Sequence, residues 1–110
     1  MNSCTFYLRG EALLELAKRI KHVKNLHQVS QAGNISYPTA LQYIAKPEKA
    51  SFRLDLKTLY NFLTNGLNFT GEDLAKLTLL DVFAIIDSSN FEILAAGKFE
   101  GFDVNGKNGT

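Results

Sequence analysis

Residues Asn25 to Ile44 read N-L-H-Q-V-S-Q-A-G-N-I-S-Y-P-T-A-L-Q-Y-I, and this pattern predicts two short helices joined by a tight turn. Asn25 is suited to be the first N-cap, and Gln28, three residues later, completes a capping box. Asn34 is expected to end the first helix, because asparagine tolerates a left-handed backbone better than most residues except glycine. One residue is then enough to separate the two helices.

The second helix is predicted to begin directly after this turn. Ser36 is its N-cap, and Pro38 lies in the first turn, where the missing N–H of proline costs nothing. Ala40, Tyr43 and Ile44 recur at helical spacing and form an apolar face. Two short helices connected in this way are typical of a helix-turn-helix.

Residues Leu26 to Ile44 resemble the helix-turn-helix of the lac repressor family, most closely through the I-S-Y-x-T that opens the second helix. Residues Arg53 to Phe83 resemble the final helices of the Cro and lambda-repressor-like family, so the two resemblances cover about residues 10 to 86. They imply a repressor-like protein that binds double-stranded DNA in the major groove, regulates transcription and acts as a homodimer.

Three residues of the motif depart from the family pattern. The family usually has alanine at the position of Ser30 and glycine at Asn34, and both replacements are small or turn-tolerant. Pro38 replaces a polar residue that often contacts bases. The motif is therefore recognisable, with a changed residue on its second helix.

Three further helices are predicted outside the motif. Apolar residues at helical spacing indicate one from about Gly10, and Asp55 begins another. A capping box at Thr70 to Asp73 leads into a final helix, in one piece or two, that includes the apolar run L-L-D-V-F-A-I-I at residues 79–86. The sequence thus predicts five helices.

We therefore expect an all-α fold, a five-helix lambda-repressor-like DNA-binding domain over residues 1–88 with a C-terminal extension over residues 89–110. In the extension, Phe91 to Leu94 could form a strand, and the final N-G-K-N-G-T should be disordered. Met1 to Leu8 could form an arm or a short strand.

Charge is distributed unevenly along the chain, although the net charge is only +1. Residues 1–58 carry nine basic and four acidic side chains, a net +5, whereas residues 59–110 carry three basic and seven acidic, a net −4. This asymmetry places positive potential around the motif, as expected if one face of the protein meets phosphate.

Nine residues in and around the motif are candidates for DNA contacts. Glutamine pairs with adenine through two hydrogen bonds, and threonine and tyrosine offer both polar and apolar contacts to base edges. Basic residues that flank a recognition helix commonly hold the DNA backbone. The candidates for base readout are Tyr37, Thr39 and Gln42, and those for phosphate contacts are Asn25, His27, Ser36, Lys46, Lys49 and Arg53. For Tyr37 and Thr39, helix capping or simple solvent exposure remains an alternative.

The sequence contains no motif for catalysis or metal binding. It has no glycine-rich phosphate loop, no histidine paired with a nucleophile and no Cys or His set at metal-ligand spacing. We expect no enzyme activity, no cofactor and no metal, and no small-molecule ligand can be inferred. The single cysteine and the lack of an apolar run of about 20 residues predict a cytoplasmic, nucleoid-associated protein without a membrane partner.

An alternative function remains open at this stage. Helix-turn-helix folds also host protein-interaction modules and antitoxin-type components without DNA specificity of their own, because a fold does not determine a function. If the protein is a dimer, the expected dimer surface is formed by the apolar residues beyond Asp87 or by the exposed face of the predicted fifth helix.

Overall fold

The computed structural model describes residues 3–50 and 53–102, which form six short α-helices and a three-stranded antiparallel sheet. In chain order the elements are β1 (Cys4–Leu8), α1 (Gly10–Ile20), α2 (Leu26–Gly33), α3 (Tyr37–Tyr43), α4 (Leu56–Asn61), α5 (Gly71–Lys76), α6 (Leu79–Val82), β2 (Phe83–Asp87) and β3 (Ile93–Ala95). A π-helical turn, Phe62–Gly66, continues α4, and 3₁₀ turns lie at Pro47–Lys49 and Glu100–Phe102. None of the helices in these ranges has the length and apolar character that a membrane span requires.

The fold is a mixed α/β domain, so the prediction of an all-α five-helix domain is wrong. The predicted final helix is divided into α5 and α6, which ends at Val82, and its apolar run continues as β2. A short apolar run fits a buried helix and a buried strand equally well by periodicity. Its partner decides between them: β1 pairs antiparallel with β2, with Cys4 opposite Asp87 and Leu8 opposite Phe83.

The C-terminal part of the chain joins this sheet. β3 pairs with the other side of β2, with Ala95 opposite Ile85 and a bulge beside it. Phe102 is buried, and its ring lies 6.2 Å from that of Phe69. Residues on both sides of position 88 therefore contribute to one sheet and one core. The disorder expected for residues 105–110 concerns positions outside the described residues.

The core is formed mainly by α1, α2, α3 and the α4 segment with its π-helical turn. Leu13, Val29 and Phe62 are completely buried, and the Tyr43 ring packs edge-on against Phe62 at 5.1 Å between centroids. Gly66 lets α2 approach the π-helical turn, because a Cβ at Gly66 would stand 2.8 Å from Cγ1 of Val29. The buried sides of α2 and α3 thus pack against α1 and α4.

A buried carboxylate fastens the C-terminal segment to this core. Asp81 is almost fully buried, and its carboxylate accepts hydrogen bonds from the N–H groups of Thr78 and Phe99, both at 2.9 Å. The Arg9 guanidinium donates to the carbonyls of Asp81 and Gly97 and lies 4.8 Å from the centre of the Phe99 ring. The chain leading from β3 is therefore held against the start of α1.

Candidate nucleic-acid interface

The two short helices predicted for residues 25–44 are present as α2 and α3, and Asn34 forms the corner between them. This residue has φ 55° and ψ 46°, the left-handed conformation that was expected. Two hydrogen bonds connect the helix ends: the Ser30 hydroxyl donates to the Ile35 carbonyl, and the Ile35 N–H donates to the Ser30 carbonyl at 3.0 Å. Ser30, which departs from the family pattern, is buried and satisfies its hydroxyl across the turn.

Both helices of the motif have the predicted N-cap residues. The Asn25 side chain accepts the Gln28 N–H at 2.9 Å, while the Gln28 side chain accepts from Lys24 rather than from the N-cap residue. Ser36 accepts the Thr39 N–H at 3.3 Å and donates to the Thr39 hydroxyl at 2.8 Å. The side-chain oxygens of two candidate phosphate contacts, Asn25 and Ser36, therefore already serve as helix caps.

Two of the candidates for base readout lie together on α3. Thr39 and Gln42 line a surface pocket of about 410 Å³, and Arg53 lines the same pocket from the segment before α4. Asp55 lies there as well and caps α4, because its carboxylate accepts the Thr58 hydroxyl at 2.8 Å and the Thr58 N–H at 2.9 Å. These hydrogen bonds lower the pKa of Asp55, so a negative charge accompanies Arg53 in the pocket.

Tyr37 lies apart from this pair. Its ring contacts that of His27 on α2, with 4.8 Å between centroids and a tilt of 50°. Both side chains are exposed, and the contact joins the beginning of α2 to the beginning of α3. The structure thus groups Tyr37 with a candidate phosphate contact and not with Thr39 and Gln42.

The three basic candidates follow α3 along the chain. Lys46 and Lys49 lie at the 3₁₀ turn after this helix, and Arg53 precedes α4; all three side chains are exposed. The two ion pairs found in residues 3–50 and 53–102 both use lysines in or next to α1. None of Lys46, Lys49 and Arg53 forms an ion pair within 4.0 Å with a described carboxylate, so all three side chains are suited to phosphate oxygens.

A residue of the sheet holds the end of α3. The Tyr7 hydroxyl donates a 2.6 Å hydrogen bond to the Ala45 carbonyl, two residues after the helix. Burial raises the pKa of Tyr7, and the nearby charges of Glu11 and Glu48 raise it further. The phenol therefore remains a hydrogen-bond donor at neutral pH. No local sequence pattern around Tyr7 predicts this contact, because Ala45 lies 38 residues away along the chain.

Leu41 is a second residue of the site that sequence reasoning overlooked. It lies in the middle of α3 and is 44% exposed, whereas its neighbour Ala40 is fully buried. A signal for it exists in the sequence, since Leu41 follows Tyr37 by four residues and so shares its side of the helix. The outer surface of α3 is consequently more apolar than predicted.

Comparison with known proteins does not identify the chain: no family model, no curated protein and no solved structure matches it. Among the described residues, no group of three or more His, Cys, Asp or Glu side chains is arranged to hold a metal ion. The function must therefore be inferred from the residues of this chain.

Proposed function

We propose that this protein binds double-stranded DNA through α2 and α3, with α3 in the major groove, and that it regulates transcription. The corner at Asn34 carries the proposal. Its left-handed backbone and the paired hydrogen bonds between Ser30 and Ile35 end α2 and allow α3 to begin directly after it, and one side of α3, with Tyr37 and Leu41, is exposed. In helix-turn-helix proteins the second helix of such a unit contacts base edges, and an α-helix fits the major groove.

Positive charge near α3 supports the same function. The first 58 residues carry a net charge of +5, and Lys46, Lys49 and Arg53 are exposed close to α3. Lysine and arginine that neutralise phosphates release counterions, and this release supplies much of the affinity of DNA-binding proteins. Residues 59–110 carry a net charge of −4, so the positive charge is concentrated in the part of the chain that contains α2 and α3.

The proposed contacts divide between reading and holding. Thr39 and Gln42 read base edges, and Tyr37 contributes a contact from the beginning of α3. His27 and the three basic residues after α3 hold phosphates on the two sides of the groove. Asn25 and Ser36 act through the helix N-termini that they cap, where backbone N–H groups attract anions.

A homodimer would bind two half-sites about one helical turn apart. Ile93 and Leu94 of β3 are each 55% exposed and lie on an edge strand, which favours them as the contact between two copies. The predicted fifth helix is divided into α5, α6 and the beginning of β2, so it offers no continuous helical face as a second surface. Such a regulator would act in the cytoplasm, on the nucleoid.

The proposal is tested by titrating the protein against a fluorescently labelled duplex at salt concentrations from about 50 to 200 mM. The logarithm of the association constant should fall linearly with the logarithm of the salt concentration. Lys46→Ala and Arg53→Ala should each reduce the slope by about one. Lys98→Ala removes an exposed charge from the acidic half and should leave the slope unchanged.

Two results would argue against DNA binding. One is the absence of binding to any duplex at the lowest salt concentration. The other is capture of a protein partner with an affinity that does not depend on salt, since surface ion pairs with phosphate are strongly screened. Together they would favour the protein-interaction or antitoxin-type alternative.

A further inference from the structure

We infer that α3 recognises the C5-methyl group of a pyrimidine through Leu41. The preferred DNA site therefore contains thymine, or 5-methylcytosine, beneath the middle of this helix. The inference rests on the proposed DNA-binding function and names the base chemistry that the same surface reads.

The outer surface of α3 presents hydrocarbon where hydrogen-bonding groups would be expected. Leu41 is 44% exposed, and Pro38, which precedes it by three residues, is exposed too. Residues three apart lie on the same side of a helix, so these two side chains are neighbours. Neither side chain carries a donor or an acceptor, so on this side of α3 only Tyr37, at the start of the helix, offers a hydrogen-bonding group beside them.

Only one group in the major groove is matched to such a surface. The base edges there present donors and acceptors, except for the C5-methyl group of thymine. A cytosine that carries the same methyl group offers the same contact. Burial of the methyl group against Leu41 removes apolar surface of both partners from water, which is favourable.

The charges around the helix indicate DNA rather than a protein as the occupant. Lys46 and Lys49 follow α3, and Arg53 lines the pocket that Gln42 also lines. None of the three cations has a carboxylate partner within 4.0 Å among the described residues. In the major groove, Leu41 can contact the methyl groups of the base edges, while the three cations can contact the phosphates on either side.

Gln42 extends this chemistry to the neighbouring position. Glutamine makes two hydrogen bonds with adenine through N6 and N7, and adenine pairs with the base that carries the methyl group. Leu41 and Gln42 are consecutive on α3 and point about 100° apart around the helix, so they contact separate positions of the same site. The site under the middle of α3 is accordingly inferred to be rich in A·T pairs.

The experiment first selects a preferred duplex from a random pool and then replaces each thymine in turn by deoxyuridine, which removes only the methyl group. At one or two positions affinity should fall about fourfold, the effect of one buried methyl group. At the same positions, replacing T·A by C·G should weaken binding, and 5-methylcytosine should restore part of the loss.

Variants of the protein assign this effect to one side chain. Leu41→Ala should bind the thymine and deoxyuridine duplexes equally, whereas Leu41→Met should keep most of the discrimination. Leu56→Ala is the control, because Leu56 is also an exposed leucine, with 76% of its surface accessible, but it lies on α4 and not on α3. Its loss should leave the fourfold difference between the two duplexes unchanged. Far-UV circular dichroism confirms that each variant is folded.

Four outcomes would overturn the inference. Equal affinity for every deoxyuridine duplex would exclude methyl recognition. An unchanged fourfold loss in Leu41→Ala would exclude Leu41 as the side chain that contacts the methyl group. In both cases salt-dependent DNA binding would still stand. Dissociation of a dimer by Leu41→Ala without loss of thymine preference would assign Leu41 to a contact between copies. Failure to bind any duplex would remove the proposed function and this inference together.

Discussion

Gly10 lies so close to the backbone of Tyr43 that a Cβ at Gly10 would stand 1.8 Å from the Tyr43 carbonyl oxygen. The two residues are the first of α1 and the last of α3. The start of α1 therefore packs directly on the end of the proposed recognition helix, with no room for a side chain. Together with the hydrogen bond from Tyr7 to Ala45, this contact fixes how α3 is mounted on the domain.

Gly10→Ala should consequently destabilise the protein by roughly 1–3 kcal/mol, because the added methyl group forces the backbones of α1 and α3 apart. Gly71→Ala is a matched control, since Gly71 also begins a helix and a Cβ there would meet nothing within 4 Å. This second variant should be neutral or slightly stabilising. Urea unfolding at equilibrium measures both, and equal midpoints for the two variants would contradict the close packing.

Asn34 provides a test of the corner itself. Asn34→Gly should be tolerated or mildly stabilising, since glycine adopts the left-handed conformation freely. Asn34→Val should cost about 1–2 kcal/mol, because a β-branched side chain is poorly accommodated at φ 55°.

Thermal unfolding compares these variants with Gln31→Val, an exposed position of α2 where valine costs only about 0.5 kcal/mol in helix propensity. A melting temperature of Asn34→Val at or above that of Gln31→Val would be inconsistent with a left-handed corner.

The motif was predictable because its signals act over a few residues. Asn25 and Ser36 each cap a helix through an N–H three residues away, and Asn34 reverses the chain by its own backbone angles. The sheet was not predictable in this way. Phe83 to Asp87 become a strand only because Cys4 to Leu8 lie beside them, and nothing in the local apolar run specifies that partner.

The sequence predicted which residues of the candidate site are suited to contact DNA, but only part of how they are grouped on α3. Thr39 and Gln42 lie three residues apart and do share one side of α3, where both line the pocket with Arg53. Tyr37 precedes Thr39 by two residues, which is about 200° around a helix, so the two side chains diverge. The same geometry brings Leu41 to the side of Tyr37 and leaves it exposed. Residue type suggested the chemistry, but helix geometry decided the grouping.

The ion pair between Lys21 and Asp73 predicts a pH dependence of stability. Asp73 is 8% exposed, and this burial raises the pKa of its carboxyl. Hydrogen bonds from Lys21 and from the N–H and hydroxyl of Thr70 lower the pKa by more than burial raises it. The pKa of Asp73 is therefore below its ordinary value. The folded pKa is thus below the unfolded one, about 3.9. The stability that follows is present above the unfolded pKa and is lost as the pH falls through the folded pKa.

Asp73→Asn should therefore be less stable than the parent at pH 7, by about 1–3 kcal/mol, and should lose less stability on acidification to about pH 3. Glu72→Gln is the control, because it removes the charge of the exposed residue next to Asp73. It should show neither the lower stability at pH 7 nor the smaller loss of stability on acidification. Urea unfolding at the two pH values measures the difference. A deficit of Asp73→Asn that is the same at both would show that the carboxylate charge is not its origin.

Gln42 and Lys49 should affect DNA binding in different ways, because one is proposed to read bases and the other to hold the backbone. Gln42→Ala should cost about 1–3 kcal/mol on the preferred duplex, through the loss of two hydrogen bonds to adenine, and should leave binding to a scrambled duplex nearly unchanged. Lys49→Ala should weaken binding to both duplexes alike and lower the salt slope by about one.

Titration of both variants against the selected and the scrambled duplex separates the two roles. The comparison is informative because Gln42 lines the pocket between α3 and α4, whereas Lys49 lies on the exposed 3₁₀ turn that follows α3. A contact to phosphate carries no sequence information, so loss of Lys49 cannot change the ratio of the two affinities. Equal losses on both duplexes for Gln42→Ala would remove Gln42 from base readout and leave that role to Thr39, Tyr37 and Leu41.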